Sequence, residues 1–434
     1  MKKIIIFAVF VFLQFEADLQ AQTKPRADDI TIELARVFSR DIFELNGVPY
    51  LQPLVQGMNA TSNSAFFSTA YVPHKVDKPY FKISLVGMMG IVPENKKIYK
   101  PQLPAAEFSV EELSKYVKFT LNPPGISEII DTVGLIHYAF KVYTNQGVVS
   151  GGINPPDTAP TVLGYGKSVF HLPRSVYDSL IKTYPVILGK PLFEYLSDSL
   201  QQKLLSVISQ FPEYFTLPEG ADLNTLIVGI PQFEIGSWMG TELLVRIIPP
   251  INWGETIGDF GFWSFGIKHS ISQYFPERWF DLAIQGVYQG TYLKNQVGVT
   301  NADLVANGNI WSGNLQASKH FKDAFDIYAG ISYDLININS NYAFVLPQEV
   351  QIQLGLLEIK QVGTDPDGNP IWEVQPPSEE YPGDTVVQNV NLVLRDYQIK
   401  GTVGFAMQFN WFRFFVEYNF GKFDVLAAGL QFIF

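Results

Sequence analysis

In the second half of the chain, segments of about ten residues alternate apolar and polar side chains with the period of two that an extended strand imposes. Across residues 279–292, Phe280, Leu282, Ile284, Gly286, Tyr288 and Tyr292 share one face, and Asp281, Ala283, Gln285, Gln289 and Thr291 share the other. The split recurs where Phe325, Ile327, Ala329, Ile331, Tyr333 and Leu335 oppose Asp326, Tyr328, Ser332 and Asp334. It recurs again where Tyr397, Ile399, Val403, Phe405, Met407 and Phe409 oppose Asp396, Gln398, Lys400, Thr402 and Gln408. Phe412, Phe414, Val416, Tyr418 and Phe420 leave Arg413, Glu417 and Asn419 on the opposite face, residues 241–248 put Glu242 beside Arg246, and residues 261–270 add Lys268. Charges inside each strand point one way and aromatics the other, the pattern of a membrane barrel wall with lipid outside and a polar lumen inside. Glu242, Arg246, Lys268, Asp281, Gln285, Gln289, Asp326, Asp334, Lys400, Arg413 and Glu417 are therefore expected to face a lumen.

The pattern predicts about nine strands over residues 233–434. Weaker candidates precede them at 80–92, 117–121, 135–143 and 161–172. An even count near fourteen follows, with twelve or sixteen as neighbouring solutions, and the fold class is an all-β, antiparallel transmembrane barrel over residues 80–434. A soluble β-sandwich also alternates, but nothing in it requires an aromatic outer face. Trp238, Trp253, Trp263, Trp279, Trp311 and Trp411 fall near expected strand ends, where interfacial girdles belong.

Three segments break the alternation. Over residues 28–45, Ile30, Leu34, Val37, Phe38, Ile42 and Leu45 recur at helical spacing behind Asp28 or Asp29 as a cap. Residues 50–73 are rich in small and polar side chains, so residues 22–79 read as a helix followed by a hatch that fits a crowded lumen or lies against the rim. Residues 173–224 form a helical insertion in which Pro191 suits a first turn and Leu192, Leu196, Leu200, Leu204, Val207 and Ile208 make one stripe. It is expected to cap the extracellular mouth over a hydrophobic vestibule, with a lumen-plugging helix as the alternative. Residues 346–389 predict a protruding extracellular hairpin with arms at 351–362 and 371–374 about a turn containing Asp365, Asp367 and Asn369. Those side chains lack the Glu a calcium loop requires.

The N-terminus carries Lys2 and Lys3, an apolar run from Ile4 to Leu13 too short to cross a bilayer, and Leu19-Gln20-Ala21 before Gln22. Residues 1–21 thus read as a secretory signal peptide. The 434-residue chain holds 34 Phe, 21 Tyr, 7 Trp and 34 Gly with 17% charged residues, and no Cys that could form a disulfide or accept a lipoprotein anchor. A net charge of −11 argues against nucleic acid as a partner.

Catalytic chemistry is sparse. His269 and Ser270 are adjacent, but strand neighbours point to opposite faces and cannot readily share a proton. His74, His137, His171 and His320 form no metal-spaced cluster. No cofactor, metal or enzymatic activity is expected.

At the C-terminus, Gly429, Phe432 and the terminal Phe434 resemble the insertion signal of bacterial outer-membrane barrels, with Ala427 where that signal usually carries a polar residue. The resemblance implies an outer-membrane location, with the lipid bilayer and the barrel-assembly machinery as partners. Ser64-Ala65-Phe66-Phe67-Ser68-Thr69-Ala70 before a first strand at 81–89 resembles the long-chain fatty-acid transporter superfamily, although the Asn-Pro-Ala element of that superfamily is missing. Gly266-Ile267-Lys268-His269-Ser270-Ile271-Ser272-Gln273-Tyr274-Phe275-Pro276 and Ala317-Ser318-Lys319-His320-Phe321 are similar to segments of an uncharacterised bacterial outer-membrane family, a domain of unknown function placed near it. That resemblance implies a fourteen-stranded barrel with a hatch and passive transport of a hydrophobic ligand. The alternative is a structural or interaction barrel that displays its extracellular loops without transport.

Overall fold

The alternating segments close into a ten-stranded antiparallel barrel. The computed structural model describes residues 25–434 apart from 122–123, 188, 253, 255–257, 276, 298–301, 322–324 and 365–369. The expected signal peptide, Trp253, and the Asp365, Asp367 and Asn369 turn lie outside the described residues. In chain order the barrel strands are β1 (Tyr80–Ile91), β2 (Thr225–Trp238), β3 (Thr241–Asn252), β4 (Asp259–Ser270) and β5 (Asp281–Val297). They continue as β6 (Ala302–Phe321), β7 (Phe325–Phe344), β8 (Gln388–Phe409), β9 (Phe412–Phe420) and β10 (Asp424–Ile433). Each strand pairs with its sequence neighbour, and β1 pairs with both β2 and β10, which closes the ring. Phe434 donates its N–H to the Phe81 carbonyl at 2.8 Å and accepts from the Phe81 N–H at 3.1 Å, so the final residue lies in that seam.

The two ends of the ring differ. At one, which we term the turn end, residues 239–240 and 410–411 are the whole of two connections; at the other, the cap end, residues 92–224 and 345–387 are inserted. Apolar side chains such as Leu85, Ile227, Ile284, Ile331 and Ile399 project outward. On β8 the exposed aromatics Tyr397 and Phe409 lie twelve residues apart. At about 3.3 Å per residue and a tilt near 40°, they bracket a band about 30 Å tall, the scale of a bilayer core.

Nine of the ten barrel strands come from the half of the chain where alternation is clear. The expected total of fourteen is not met, because the insertion at 92–224 contributes no strand to the wall. Residues 117–121 are extended but pair only with Pro124–Ile129. Of 161–172, only Val169–His171 is a strand, paired with Tyr214–Thr216. Residues 135–143 are helical, inside α3 (Thr132–Val149), which follows α2 (Val110–Leu113). A short apolar run fits a buried helix as well as a strand, and here Asp131 settles the matter by accepting from the Gly134 N–H at 3.0 Å as an N-cap.

The N-terminal helix is longer than its spacing suggests. Asp28 caps α1 (Asp29–Ser62), a 34-residue helix that runs through Pro49 and Pro53. Small and polar side chains made residues 50–73 read as a separate hatch, and proline also normally breaks a helix by removing an N–H and crowding the preceding turn. Inside a barrel the surrounding wall holds the helix together across such residues. At about 1.5 Å per residue α1 spans about 50 Å, enough to bridge two cores. Its first half, Ile32 to Ile42, packs into the cap, and its second half, Phe43 to Ala60, packs against the barrel interior. Gly57 permits the close approach: a Cβ there would lie 2.5 Å from Leu226 Cδ1 and 3.0 Å from Phe423 Cε1.

The cap gathers α3, α4 (Arg174–Thr183), α5 (Asp198–Gln210) and α6 (Gln348–Gln353) around the start of α1. Leu192, Leu196, Leu200 and Leu204 are buried in this core and so line no vestibule. The insertion after β7 joins the cap through Leu346, Val350 and Leu354. Its hairpin is shorter than expected, with arms Ile359–Thr364 and Pro370–Val374, because residues 348–353 are helical. Polar bonds hold α1 to both insertions. Arg36 reaches Asp384 at 2.7 Å, and Asp41 accepts from His137 at 2.9 Å and Lys141 at 3.1 Å. Burial alone would raise the Asp41 carboxyl, but the hydrogen bonds and charge of His137 and Lys141 bring it below its ordinary value.

Two outcomes follow. Gly57→Val should destabilise the folded chain by about 1–3 kcal/mol through overpacking, read as a lower temperature for loss of the compact band on unheated gels. Because the folded Asp41 is the stronger acid, its contribution is present above the unfolded carboxyl pKa and is lost as pH falls through the folded one. Hydrogen-exchange protection of α3 should therefore hold from neutrality to about pH 4 and decline below it, and Asp41→Asn should remove that decline.

Candidate functional site

The lumen is divided by chemistry. Toward the cap its wall is apolar, with Leu226, Ile230, Phe262, Leu304, Ile338 and Leu392 around the second half of α1. Toward the turn end it carries buried charge: Lys82, Arg246, Lys268, Lys400 and Arg413 against Glu234, Glu242, Asp326, Asp334 and Glu417. Five cations face five carboxylates, so no large net charge is left in a medium that would penalise it.

These side chains bind the backbone where α1 ends. The last carbonyls of a helix have no partners within it, and α1 has no basic residue in its final turn. Asn63 and Ser64 donate back to Asn59, Ala60 and Thr61, and the wall supplies donors to Ser62 and to the residues beyond the helix. Arg246 donates to the carbonyls of Ser62 at 3.0 Å, Ser64 at 2.8 Å and Ala65 at 2.5 Å, and its guanidinium lies 4.1 Å from the centre of the Phe66 ring. Lys400 donates to Asn63 O and pairs with Asp334 at 3.2 Å. Glu417 accepts from the Ala65 N–H at 2.8 Å, which fixes both sides of a residue held at φ 55°. Arg413 donates to Ser68 O at 2.7 Å and pairs with Asp326, and Lys268 reaches Thr69 O at 3.5 Å. Ser318 Oγ accepts from the Ala70 N–H at 2.9 Å.

A second ion cluster closes the turn end between β1, β2, β3 and β4. Lys82 bridges Glu234 and Glu242, Lys268 also pairs with Glu242, and Tyr80 donates to Glu242 at 2.7 Å. Arg246 joins it to the helix terminus by donating to Gln232 at 2.7 Å.

Of the eleven residues expected to face a lumen, ten lie buried inside the ring. Asp281 is the eleventh; it is half-buried at the turn end beside Arg278 at 2.9 Å. Gln285 accepts from Gln316 at 2.6 Å on the neighbouring strand, while Gln289 donates to Ser62 Oγ at 2.9 Å. Sequence reasoning missed Tyr80, Lys82, Gln232, Glu234 and Ser318. Lys82 and Ser84 in β1, and Gln232 and Glu234 in β2, share the period of two and could have been found by extending the alternation into those strands. Gly429 lies under the Phe415 ring, Phe432 stacks on Trp411 at 5.5 Å, and Phe434 is exposed. His269 bonds Thr241, Gln273 and Tyr274 while Ser270 is buried on the interior face, so the two side chains diverge. Among the described residues no three His, Asp or Glu side chains have metal-binding geometry.

The family of unknown function DUF6588 has a model that matches residues 1–434. The chain belongs to that family. No curated protein matches it. Among solved structures, the translocator domain of the autotransporter NalP from Neisseria meningitidis has 9% identity and a TM-score of 0.24, covering 90% of this chain and 98% of that one. The outer membrane protein OpdK from Pseudomonas aeruginosa has 8% identity and a TM-score of 0.11, covering 83% of this chain and 100% of its own. The barrel described above stands on its own strand register.

Truncating one member of a buried ionic network leaves the others unpaired and costs about 3–5 kcal/mol. Arg246→Met should show a loss of that size in urea unfolding of the detergent-solubilised protein. Arg246→Lys should recover only part of it, because an ammonium cannot span three carbonyls at once.

Proposed function

We propose that this member of the family is an outer-membrane β-barrel that carries a folded cap on the cell surface, with its lumen sealed by its own N-terminal segment. One observation carries the reading: α1 and residues 63–70 fill the ring from the cap end to the turn end and are bonded to charged wall residues along the way. The apolar crevice between α1, the barrel rim and the cap, lined by Phe43, Tyr50, Leu217, Tyr342 and Leu392, offers about 20 Å³. A water molecule needs about that much space. The apolar exterior, the spacing of the girdles and the concentration of long insertions at one end support a membrane location with the cap outside. In this reading the partners are the bilayer, the barrel-assembly machinery and whatever contacts the cap, and the chain has no catalytic task.

A second reading, passive transport of a hydrophobic molecule, is favoured by the apolar lining of that crevice and of the cap half of the lumen. It requires the seated segment to move. The absence of cysteine allows a direct test. Thr69 Oγ1 and Ser318 Oγ are 3.2 Å apart, so Thr69→Cys with Ser318→Cys should lock the segment to β6 on oxidation. In liposomes the sealed-barrel reading expects neither solute swelling nor uptake of a fluorescent fatty acid, reduced or oxidised. Uptake that appears on reduction and vanishes on oxidation would establish transport. Recovery of the chain as a soluble periplasmic species would overturn both readings.

A further inference from the structure

We infer that the outer wall of β5 to β8 is a binding track for one anionic, phosphorylated lipid of the leaflet on the cap side, its acyl chain in a glycine-floored groove and its phosphate at Arg395. The inference rests on the membrane reading above and adds a ligand to it.

The groove is a depression of about 690 Å³ on the lipid-facing surface. Its floor is Gly286 and Gly313, which are partners in the register of β5 and β6. Nothing lies within 4 Å of where either Cβ would be, whereas the space beside Gly290, one exposed patch away, is filled by the Trp263 ring. Ile284, Leu315, Ile331 and Ile399 form the walls. Two side chains missing in register leave a depression between Ile267 on one side and Tyr333 on the other.

Toward the cap the track changes character in the order an amphiphile would require. Two residues further along the strands from Gly286, Gly313, Tyr333 and Ile399 stand the register partners Tyr288, Trp311, Leu335 and Tyr397, three of them rings of the kind that prefer the boundary between hydrocarbon and headgroups. They border a second depression of about 520 Å³ that also includes Asn309, Asn337 and Arg395. Those three are register partners across β6, β7 and β8, and all are exposed. Tyr288 donates to Asn309 Oδ1 at 3.0 Å, so the Asn309 carbonyl oxygen is already engaged. The one carboxylate at the site, Asp396, is already paired with Lys422, whose ammonium lies 5.4 Å from the centre of the Tyr397 ring. Arg395 makes no ion pair among the described residues. A guanidinium flanked by amides is suited to phosphate, and Arg395 stands two residues beyond the exposed Tyr397 on the cap side, the direction in which a headgroup would follow the rings.

The test uses the full-length protein in detergent, titrated with dioleoyl phosphatidic acid or dioleoyl phosphatidylcholine and followed by native mass spectrometry. The expected result is one tightly held phosphatidic acid per chain, preferred by about tenfold, the scale of one charge-assisted hydrogen bond. Arg395→Gln should abolish the preference while leaving acyl binding, and Gly313→Leu should weaken both lipids together. Should Gly313→Leu fail to fold, Arg395→Gln on the exposed surface still decides. Equal binding of the two lipids, an unchanged preference in Arg395→Gln, displacement by inorganic phosphate alone, or a stable dimer through this face would each overturn the inference. A chain that stays soluble without detergent would instead overturn the membrane reading, before any lipid is added.

Discussion

A helix that ends and turns inside a lumen leaves carbonyls that solvent cannot freely reach: Asn63 and Ser64 serve those of Asn59, Ala60 and Thr61, and the barrel wall provides donors for Ser62 and the residues that follow. That requirement organises the interior. Arg246, Lys400 and Arg413 stand on three different strands, yet all donate to one stretch of backbone between Ser62 and Ser68. Each is there because an unmet backbone acceptor in a medium of low polarity is costly. Each in turn needs a carboxylate nearby, and Glu417, Asp334 and Asp326 answer. The carbonyls of the segment and the cations and anions of the wall therefore form one system, in which no member can be removed without orphaning the next.

The division of the lumen into an apolar and a charged half gives α1 a fixed depth. Sliding the helix toward the turn end would bring Phe43 and Leu51 among ions, and sliding it the other way would strand the charged wall without backbone partners. The left-handed conformation at Ala65 is consistent with this, since a non-glycine residue at φ 55° is strained by about 1–2 kcal/mol and is kept so by bonds on both sides. The cap is tied to the same rod through Arg36 and Asp41. Barrel and cap are thus two cores on one helix, with no need for a wide interface between them.

Legibility in the sequence followed how local each constraint is. The period of two in Phe325 to Leu335 or Tyr397 to Phe409 is a property of single strands with an apolar outer and a polar inner face, and it located nine wall strands and most of the buried ions. Residues 135–143 carry an apolar run whose period is blurred by being buried all round, and only the Asp131 cap distinguishes it as helix. The small and polar side chains of residues 50–73 hid the second half of α1 because local rules hold for a chain in water; a helix enclosed by a barrel is held by its surroundings, even through Pro49 and Pro53. The convergence of Arg246, Lys400 and Glu417 on residues 62–65 was invisible for a different reason. Register and closure decide which strands meet across a lumen, and neither is written in any one segment.

The direction of α1 also bears on how the molecule can be built. Its start lies in the cap, it ends inside the ring, and residues 63–79 carry the chain on to the opposite rim, where β1 begins and has its far edge sealed by β10. The polypeptide therefore passes through the very ring that it later forms, like a thread through a bead made from its own tail. A folded cap of this girth cannot be drawn through ten closed strands. The seam between β1 and β10 must consequently be zipped around a helix already in place, or the leading segment must cross while still extended and acquire its partners afterwards. Either way, closing the ring and filling it are two aspects of a single assembly step.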